Sequence, residues 1–257
     1  MPNAGRIRFL TAASALLMLA VVAASAYIRA SGGIDVQIAR GVHRATASSV
    51  ALLVFALMAL AWRQPRLRAA ASVAFVLMLA LSAVGWITGT TPPPAAAFFN
   101  QTGGLVLTAL LVWIYGRAAA RTTLAPDRKL ALAALGLASL QAAFGGTLAI
   151  FAPQASVAVL ITHAAAGLAA AAAVAALGWR YAACAALAPA LGVISVVLQA
   201  SATQAGHALA GALLLAAAAY AQARATPPSR PLNAHNQLRW REGRTANSGT
   251  FRAGRIE

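Results

Sequence analysis

The chain contains eight stretches in which apolar residues continue for roughly 20 positions with few charges. A helix needs about 20 apolar residues to cross the hydrocarbon core of a bilayer. Irregular segments are excluded there because unpaired backbone groups are too costly in lipid. The sequence therefore predicts an all-α polytopic membrane protein with eight transmembrane helices. The predicted spans are residues 7–27, 42–62, 69–89, 96–116, 130–151, 157–179, 182–200 and 203–222.

The composition excludes a soluble protein and a nucleic-acid binder. Of the 257 residues, 61% are hydrophobic and 9% are charged, with a mean hydropathy of +0.74, whereas soluble domains carry about a quarter charged residues. The net charge of +16 comes from arginines between apolar runs and in a polar tail, which is typical of membrane-protein loops. Membrane lipid, not nucleic acid, is the expected surrounding. The single cysteine, Cys184, excludes an intrachain disulfide and a cysteine metal cluster.

The distribution of basic residues predicts the orientation. With a cytoplasmic N-terminus, most of the arginines and Lys129 fall on the inside, and the outer loops receive only Arg29, Arg40 and Arg44. This is a strong positive-inside bias. It predicts a multi-pass protein of a bacterial-type inner (plasma) membrane with both termini cytoplasmic. The basic tail, residues 223–257, is poor in aliphatic residues and is expected to be disordered.

The eight spans divide into two sets of four. The loops after the second and sixth spans are short and basic, and those after the third and seventh are uncharged. The pattern predicts an N-terminal four-helix repeat in residues 1–116, a cytoplasmic linker in 117–129 and a C-terminal repeat in 130–222. Sites in membrane proteins often lie within or between such repeats.

Three of the four histidines share one depth in the membrane. His43, His163 and His207 lie at or near the starts of the second, sixth and eighth spans, on the predicted outer side, and His235 lies in the tail. Under the two-repeat interpretation His43 corresponds to His163, and His207 corresponds to Asn100 in "FFNQTGG".

A small residue follows each of these positions four residues later, on the same helix face. His163 is followed by Gly167, His207 by Gly211 and Asn100 by Gly104, and His43 is followed by an alanine. A small residue beside a histidine that points into the helix bundle leaves space for a flat ligand. Two helices of a bundle that each supply one such histidine can bind a haem iron from its two axial sides. His163 and His207 are therefore candidates for a bis-histidine haem b. The alternative is that each histidine bonds a backbone carbonyl in an alanine-rich chain. Three histidines at one depth favour haem.

Five short motifs carry a resemblance to a known family. In chain order they are "YIRASGG" at 27–33, "GVHR" at 41–44, "LQAAFGG" at 140–146, "ITHAAAG" at 161–167 and "QAGHALAG" at 204–211. Residues 7–222 resemble the haem A synthase family through the order and spacing of these motifs. Members of that family have eight helices in two four-helix repeats, with an axial histidine on each even-numbered helix.

The resemblance implies a function and a set of ligands. His163 and His207 would bind the iron of a resident haem b in the C-terminal half, and His43 would face the substrate, haem O, in the N-terminal half. The reaction oxidises a ring methyl group to the formyl group of haem A, which cytochrome oxidase assembly needs, with oxygen taken from water. A haem O synthase and cytochrome oxidase assembly factors are the implied protein partners. Arg40 and Arg44 would lie near haem propionates; alternatively they extend to the outer interface.

The chain departs from the family pattern in three places. The family usually has a glutamate shortly before the first histidine, but residues 37–42 read "QIARGV" and no predicted span contains a carboxylate. Asp35 is the candidate substitute if its loop folds back. Asn100 replaces the fourth histidine, so the N-terminal haem would be five-coordinate, weakly ligated or absent. The first outer loop lacks the cysteine pair of many members.

Three functions remain open from the sequence. The first is an oxidoreductase of the haem A synthase type. The second is a non-catalytic b-type haem protein, either a membrane electron carrier or a haem-handling relative that kept His163 and His207. The third is a small-molecule transporter, which the repeats suggest but which the absence of acids and lysines within the spans disfavours.

Overall fold

The computed structural model describes residues 3–31, 35–119, 125–151 and 156–226. These residues form eight α-helices, and no strand occurs among them. The helices are α1 (Ala4–Ala30), α2 (Asp35–Ala61), α3 (Pro65–Thr88), α4 (Pro94–Ala118), α5 (Arg128–Phe151), α6 (Val157–Ala176), α7 (Ala182–Leu198) and α8 (Ser201–Ala225).

Each helix is long and apolar enough to cross a membrane, and α7 reaches this length together with the 3-10 turn Trp179–Tyr181 before it. The prediction of an all-helical, eight-span membrane protein is confirmed.

Several helix ends differ from the predicted spans. α2 begins at Asp35 rather than at residue 42, and α1 continues to Ala30 rather than ending at 27. Hydropathy marks only the part of a helix that lies in lipid, whereas backbone hydrogen bonding continues through polar residues at the ends. α3 and α4 begin earlier than predicted, at Pro65 and Pro94, because proline is favoured in the first turn of a helix.

The α6–α7 and α7–α8 connections also correct the predictions. α6 ends at Ala176 instead of 179, and Gly178 follows with a φ of 131°, a conformation that favours glycine. α7 ends at Leu198 instead of 200, where Gln199 adopts the left-handed conformation with a φ of 49°. Residues 201 and 202, which lie between the predicted seventh and eighth spans, instead form the start of α8, where the Ser201 hydroxyl donates to the Ala30 carbonyl at 2.9 Å.

The predicted linker and tail are shorter than expected. α4 continues to Ala118 and α5 begins at Arg128, so both ends of the 117–129 linker are helical. α8 extends to Ala225 instead of 222. The rest of the tail, 227–257, lies outside the described residues, so the disorder expected of that segment stays a prediction.

The order of helix neighbours in the first half is repeated in the second. α1 and α3 each pack against α2 and α4, and in the same way α5 and α7 each pack against α6 and α8. The two sets of four meet where α8 contacts α1 and α4 and where α4 contacts α5. One apolar core lies within the first set, and a second core combines residues of α5–α8 with Val22 and Leu105 of the first set. α8 contributes many buried alanines to the second core.

α4 and α8 exchange matching contacts at their C-terminal ends. The Arg117 guanidinium donates to the Thr226 carbonyl at 2.7 Å, and the Arg224 guanidinium donates to the Ala119 carbonyl at 3.4 Å. Arg117 and Arg224 are 107 residues apart, as are Ala119 and Thr226. This reciprocity is typical of two segments related by an approximate two-fold axis, and the 107-residue separation also relates Asn100 to His207.

Candidate functional site

The imidazoles of His163 and His207 face each other inside the second set of helices. Their ring centroids are 5.8 Å apart and the ring planes are perpendicular, at 89°. His163 Nδ1 lies 3.1 Å from the carbonyl oxygen of Gln141, which fits donation from Nδ1 and leaves Nε2 available. A second partner that fixes the orientation of a histidine in this way is usual for metal-ligating imidazoles.

Two glycines make room for these rings. A Cβ added at Gly145 on α5 would come within 2.9 Å of His163 Cε1, and one at Gly192 on α7 would come within 3.1 Å of His207 Cε1. Both distances are shorter than ordinary carbon contacts. Therefore all four helices of this half shape the histidine pair: α6 and α8 supply the imidazoles, and α5 and α7 supply the space.

The two glycines predicted to leave room for a flat ligand, Gly167 and Gly211, lie against the side chain of Gln141. A Cβ at Gly167 would lie 3.4 Å from Gln141 Cγ, and one at Gly211 would lie 3.6 Å from Gln141 Nε2. Gln141 is only 5% exposed. A ligand between the histidines and these glycines would therefore contact Gln141 directly.

The residues present fit a haem iron. A metal bonded to both imidazoles at the usual ~2 Å would separate the ring centroids by about 6 Å, close to the 5.8 Å observed. Gln141 Oε1 is buried without a hydrogen-bond partner in the described part of the chain, as expected where a polar ligand belongs. No group of three or more metal-binding side chains occurs in the described residues. A haem needs only two protein ligands because its own ring supplies the others.

The first half repeats the arrangement around His43. His43 Nδ1 lies 3.1 Å from the Ser25 hydroxyl on α1. His43 and His163 are 120 residues apart, and so are Ser25 and Gly145, the two α1 and α5 residues that adjoin these rings. The predicted equivalence of the two histidines therefore extends to their neighbours on the preceding helix.

His43 lines a cavity of about 740 Å³ among α1, α2, α3 and α4. This volume is within the range of small-molecule and cofactor sites, about 300–1,000 Å³. Arg40 and Arg44, predicted to lie near propionates, also line it, together with Arg29. None of the described residues that line it is acidic. The cavity therefore suits an anionic ligand with a large apolar body.

Asn100 lies in the same cavity as His43, and Gln101 beside it also lines the wall. Asn100 Oδ1 and Gln101 Oε1 are buried, and neither has a hydrogen-bond partner in the described segments. Two unsatisfied amide oxygens at one wall are costly unless a ligand or water donates to them.

The remaining candidates are less informative. Asp35 is the first residue of α2, but its side chain lies outside the described residues, so its role as a base stays a prediction. Cys184 is a free, half-buried thiol in α7. His235 lies outside the described part.

Residues of the two sites that were not predicted from the sequence include Ser25, Arg29, Gln101 and Gly192. Ser25 and Gly192 lie on odd-numbered helices, away from the histidines in sequence. The repeat relation provides a signal for both, because Ser25 is 120 residues before Gly145 and Gly192 is 107 residues after Gly85, another cavity residue.

No protein-family model matches this sequence, and no curated protein matches it.

Proposed function

We propose that this membrane protein holds a b-type haem between His163 and His207. The observation that carries the proposal is the 5.8 Å separation of the two perpendicular imidazoles inside one four-helix set. When bound, the haem supplies one-electron redox chemistry. The Gln141 carbonyl accepts from His163 Nδ1, which holds this imidazole and leaves its Nε2 as the atom that would bind the haem iron.

The N-terminal cavity is the proposed site of substrate oxidation. By the family resemblance, the substrate is haem O, whose methyl group takes up the oxygen of one water molecule to become the formyl group of haem A. The conversion releases four electrons and four protons, and the electrons leave through the C-terminal half to an external one-electron acceptor. Arg29, Arg40 and Arg44 supply donors for the two carboxylates of the substrate, and His43 supplies the imidazole.

A second function has its own supporting observation. None of the described residues that line the cavity is acidic, so none of them is a carboxylate base for the protons that the methyl oxidation would release. This favours a non-catalytic b-type haem protein that carries electrons or handles haem. The two functions share the site at His163 and His207 and differ only in the use of the cavity.

The proposed location is a bacterial inner membrane with both termini in the cytoplasm. The support is the concentration of basic residues in the loops on one side. This orientation places the starts of the even-numbered helices, and thus all three intramembrane histidines, toward the extracytoplasmic face.

The test is spectroscopy on the full chain purified in detergent. We expect a reduced-minus-oxidised spectrum that includes a b-type haem bound by two histidines; His163→Ala or His207→Ala abolishes this bis-histidine signal, while His235→Ala, a tail substitution, leaves it unchanged. A colourless, folded protein after haem loading would contradict the haem proposal. Co-expression with a haem O synthase, followed by chromatography of extracted pigments, separates the two functions: haem A indicates the oxidase, and unconverted haem O indicates the carrier.

A further inference from the structure

We propose that the N-terminal cavity is a one-histidine haem site whose second axial position is open to a small neutral ligand such as water. The inference rests on the proposed function, because it assumes that the cavity receives a haem. It distinguishes two kinds of haem site in one chain: a closed site at His163 and His207 and an open one at His43.

The repeat relation identifies which residue faces His43. Asn100 is 107 residues before His207, the same separation that relates the reciprocal contacts of Arg117 and Arg224 at the other end of α4 and α8. Because His163 faces His207, Asn100 occupies the corresponding position relative to His43. Both residues line the same cavity.

An asparagine at this position changes the chemistry of the site. Imidazole is a suitable ligand for iron, whereas amide oxygens suit harder ions such as magnesium and calcium. Asn100 therefore leaves the iron with one protein ligand, His43.

The side-chain amide oxygens of Asn100 and Gln101 suit a small ligand that donates hydrogen bonds. Asn100 Oδ1 and Gln101 Oε1 are buried and accept no hydrogen bond from the described residues, and a water molecule in the open position would donate to them. The cavity of about 740 Å³ has room for such a molecule beside a large ligand, because a water occupies only about 30 Å³.

Carbon monoxide is the probe for the open position. It binds ferrous haem only where a coordination position is free or easily vacated. The full-length protein is loaded with haem b in detergent, the haem is counted per chain, and CO difference spectra are recorded after reduction. We expect two haems per chain and CO binding at one of them.

Exchange of the equivalent residues provides matched variants. Asn100→His supplies the missing ligand and is expected to abolish CO binding while both haems are retained. His207→Asn gives the C-terminal half the residue of the N-terminal half and is expected to add a second CO-binding haem. Asn100→Leu removes the amide without supplying a ligand, so CO binding should persist, and His43→Ala should lose one haem together with the CO signal.

The outcomes separate this inference from the proposed function. One haem per chain with no CO binding, or two haems of which neither binds CO, would overturn the open site and leave the His163–His207 haem intact. A CO-binding haem that disappears in His207→Ala but persists in His43→Ala would also overturn it. Absence of any haem after loading would instead overturn the proposed function.

Discussion

At the scale of single residues, the position of His163 depends on two features of α5. The Gln141 carbonyl accepts from Nδ1, and Gly145, one helical turn later, lacks the Cβ that would collide with Cε1. A histidine ring held on two sides has little freedom to rotate. Such preorganisation is what a ligand site requires, since misplacement of a ligand by a fraction of an ångström weakens binding.

Gly145→Ala tests this arrangement. The added Cβ would lie 2.9 Å from His163 Cε1, so the ring must shift, and strain of this kind typically costs about 1–3 kcal/mol. We expect haem affinity, measured by titration of the haem-free protein, to fall by about tenfold or more. Gly136→Ala on the same helix is the matched control, because nothing lies within 4 Å of its added Cβ. Equal affinities of the two variants would contradict the contact.

The sequence predicted only part of each site. His43, His163, His207 and Asn100 were found because their depth in the membrane can be counted along a helix. Ser25 was missed because its contact with His43 depends on how α1 and α2 are rotated about their axes, which hydropathy does not determine. An almost uniformly apolar helix has no polar face to reveal its rotation.

At the scale of helices, the joint between α4 and α8 connects the two halves. Besides the two arginine contacts, the indole Nε1 of Trp113 donates to Gln222 Oε1 at 2.5 Å, and the rings of Tyr115 and Tyr220 pack 6.1 Å apart. Gly116 lies directly against Ala223 and Tyr220 of α8. In lipid, helices associate through close packing and hydrogen bonds rather than through the hydrophobic effect, so these contacts are the main source of stability at this joint.

Gly116→Ala should weaken the joint. Its Cβ would come within 2.9 Å of Ala223 Cβ and 3.1 Å of the Tyr220 ring. If α4 and α8 moved apart to relieve these contacts, the reciprocal arginine hydrogen bonds would be weakened. We expect a loss of unfolding free energy of about 1–3 kcal/mol, measured by denaturation in mixed micelles. Gly5→Ala, whose Cβ meets nothing within 4 Å, should leave stability unchanged. A Gly116→Ala variant as stable as the Gly5→Ala control would contradict the close packing.

Helix number was predictable, and helix ends were not. Each of the eight apolar runs continues for about 20 residues, which is enough to indicate a membrane-spanning helix, and all eight helices are present. The early start of α2 at Asp35 was missed because polar residues interrupt its first turns, at Asp35, Gln37 and Arg40. This difference matters for the site, since it places His43 well inside a helix and not at its second residue.

At the scale of the whole molecule, the repeat with unequal halves explains how one fold offers two different sites. In the second half the space beside Gly167 and Gly211 borders Gln141, and two imidazoles face each other. In the first half the corresponding region is a cavity with one imidazole and basic residues. A tight pair suits a permanent cofactor, and an open, basic cavity suits a ligand that enters and leaves.

The proposed orientation determines the side from which that cavity is reached, and cysteine labelling can test it. Gln64 and Thr91 flank α3 at opposite ends, so a membrane-spanning α3 must place them on opposite sides. In a Cys184→Ser background, which removes the only native cysteine, Thr91→Cys should react with a membrane-impermeant maleimide in intact cells. Gln64→Cys should react only after the membrane is permeabilised. The reverse pattern would contradict the positive-inside assignment and would place the three intramembrane histidines near the cytoplasmic face.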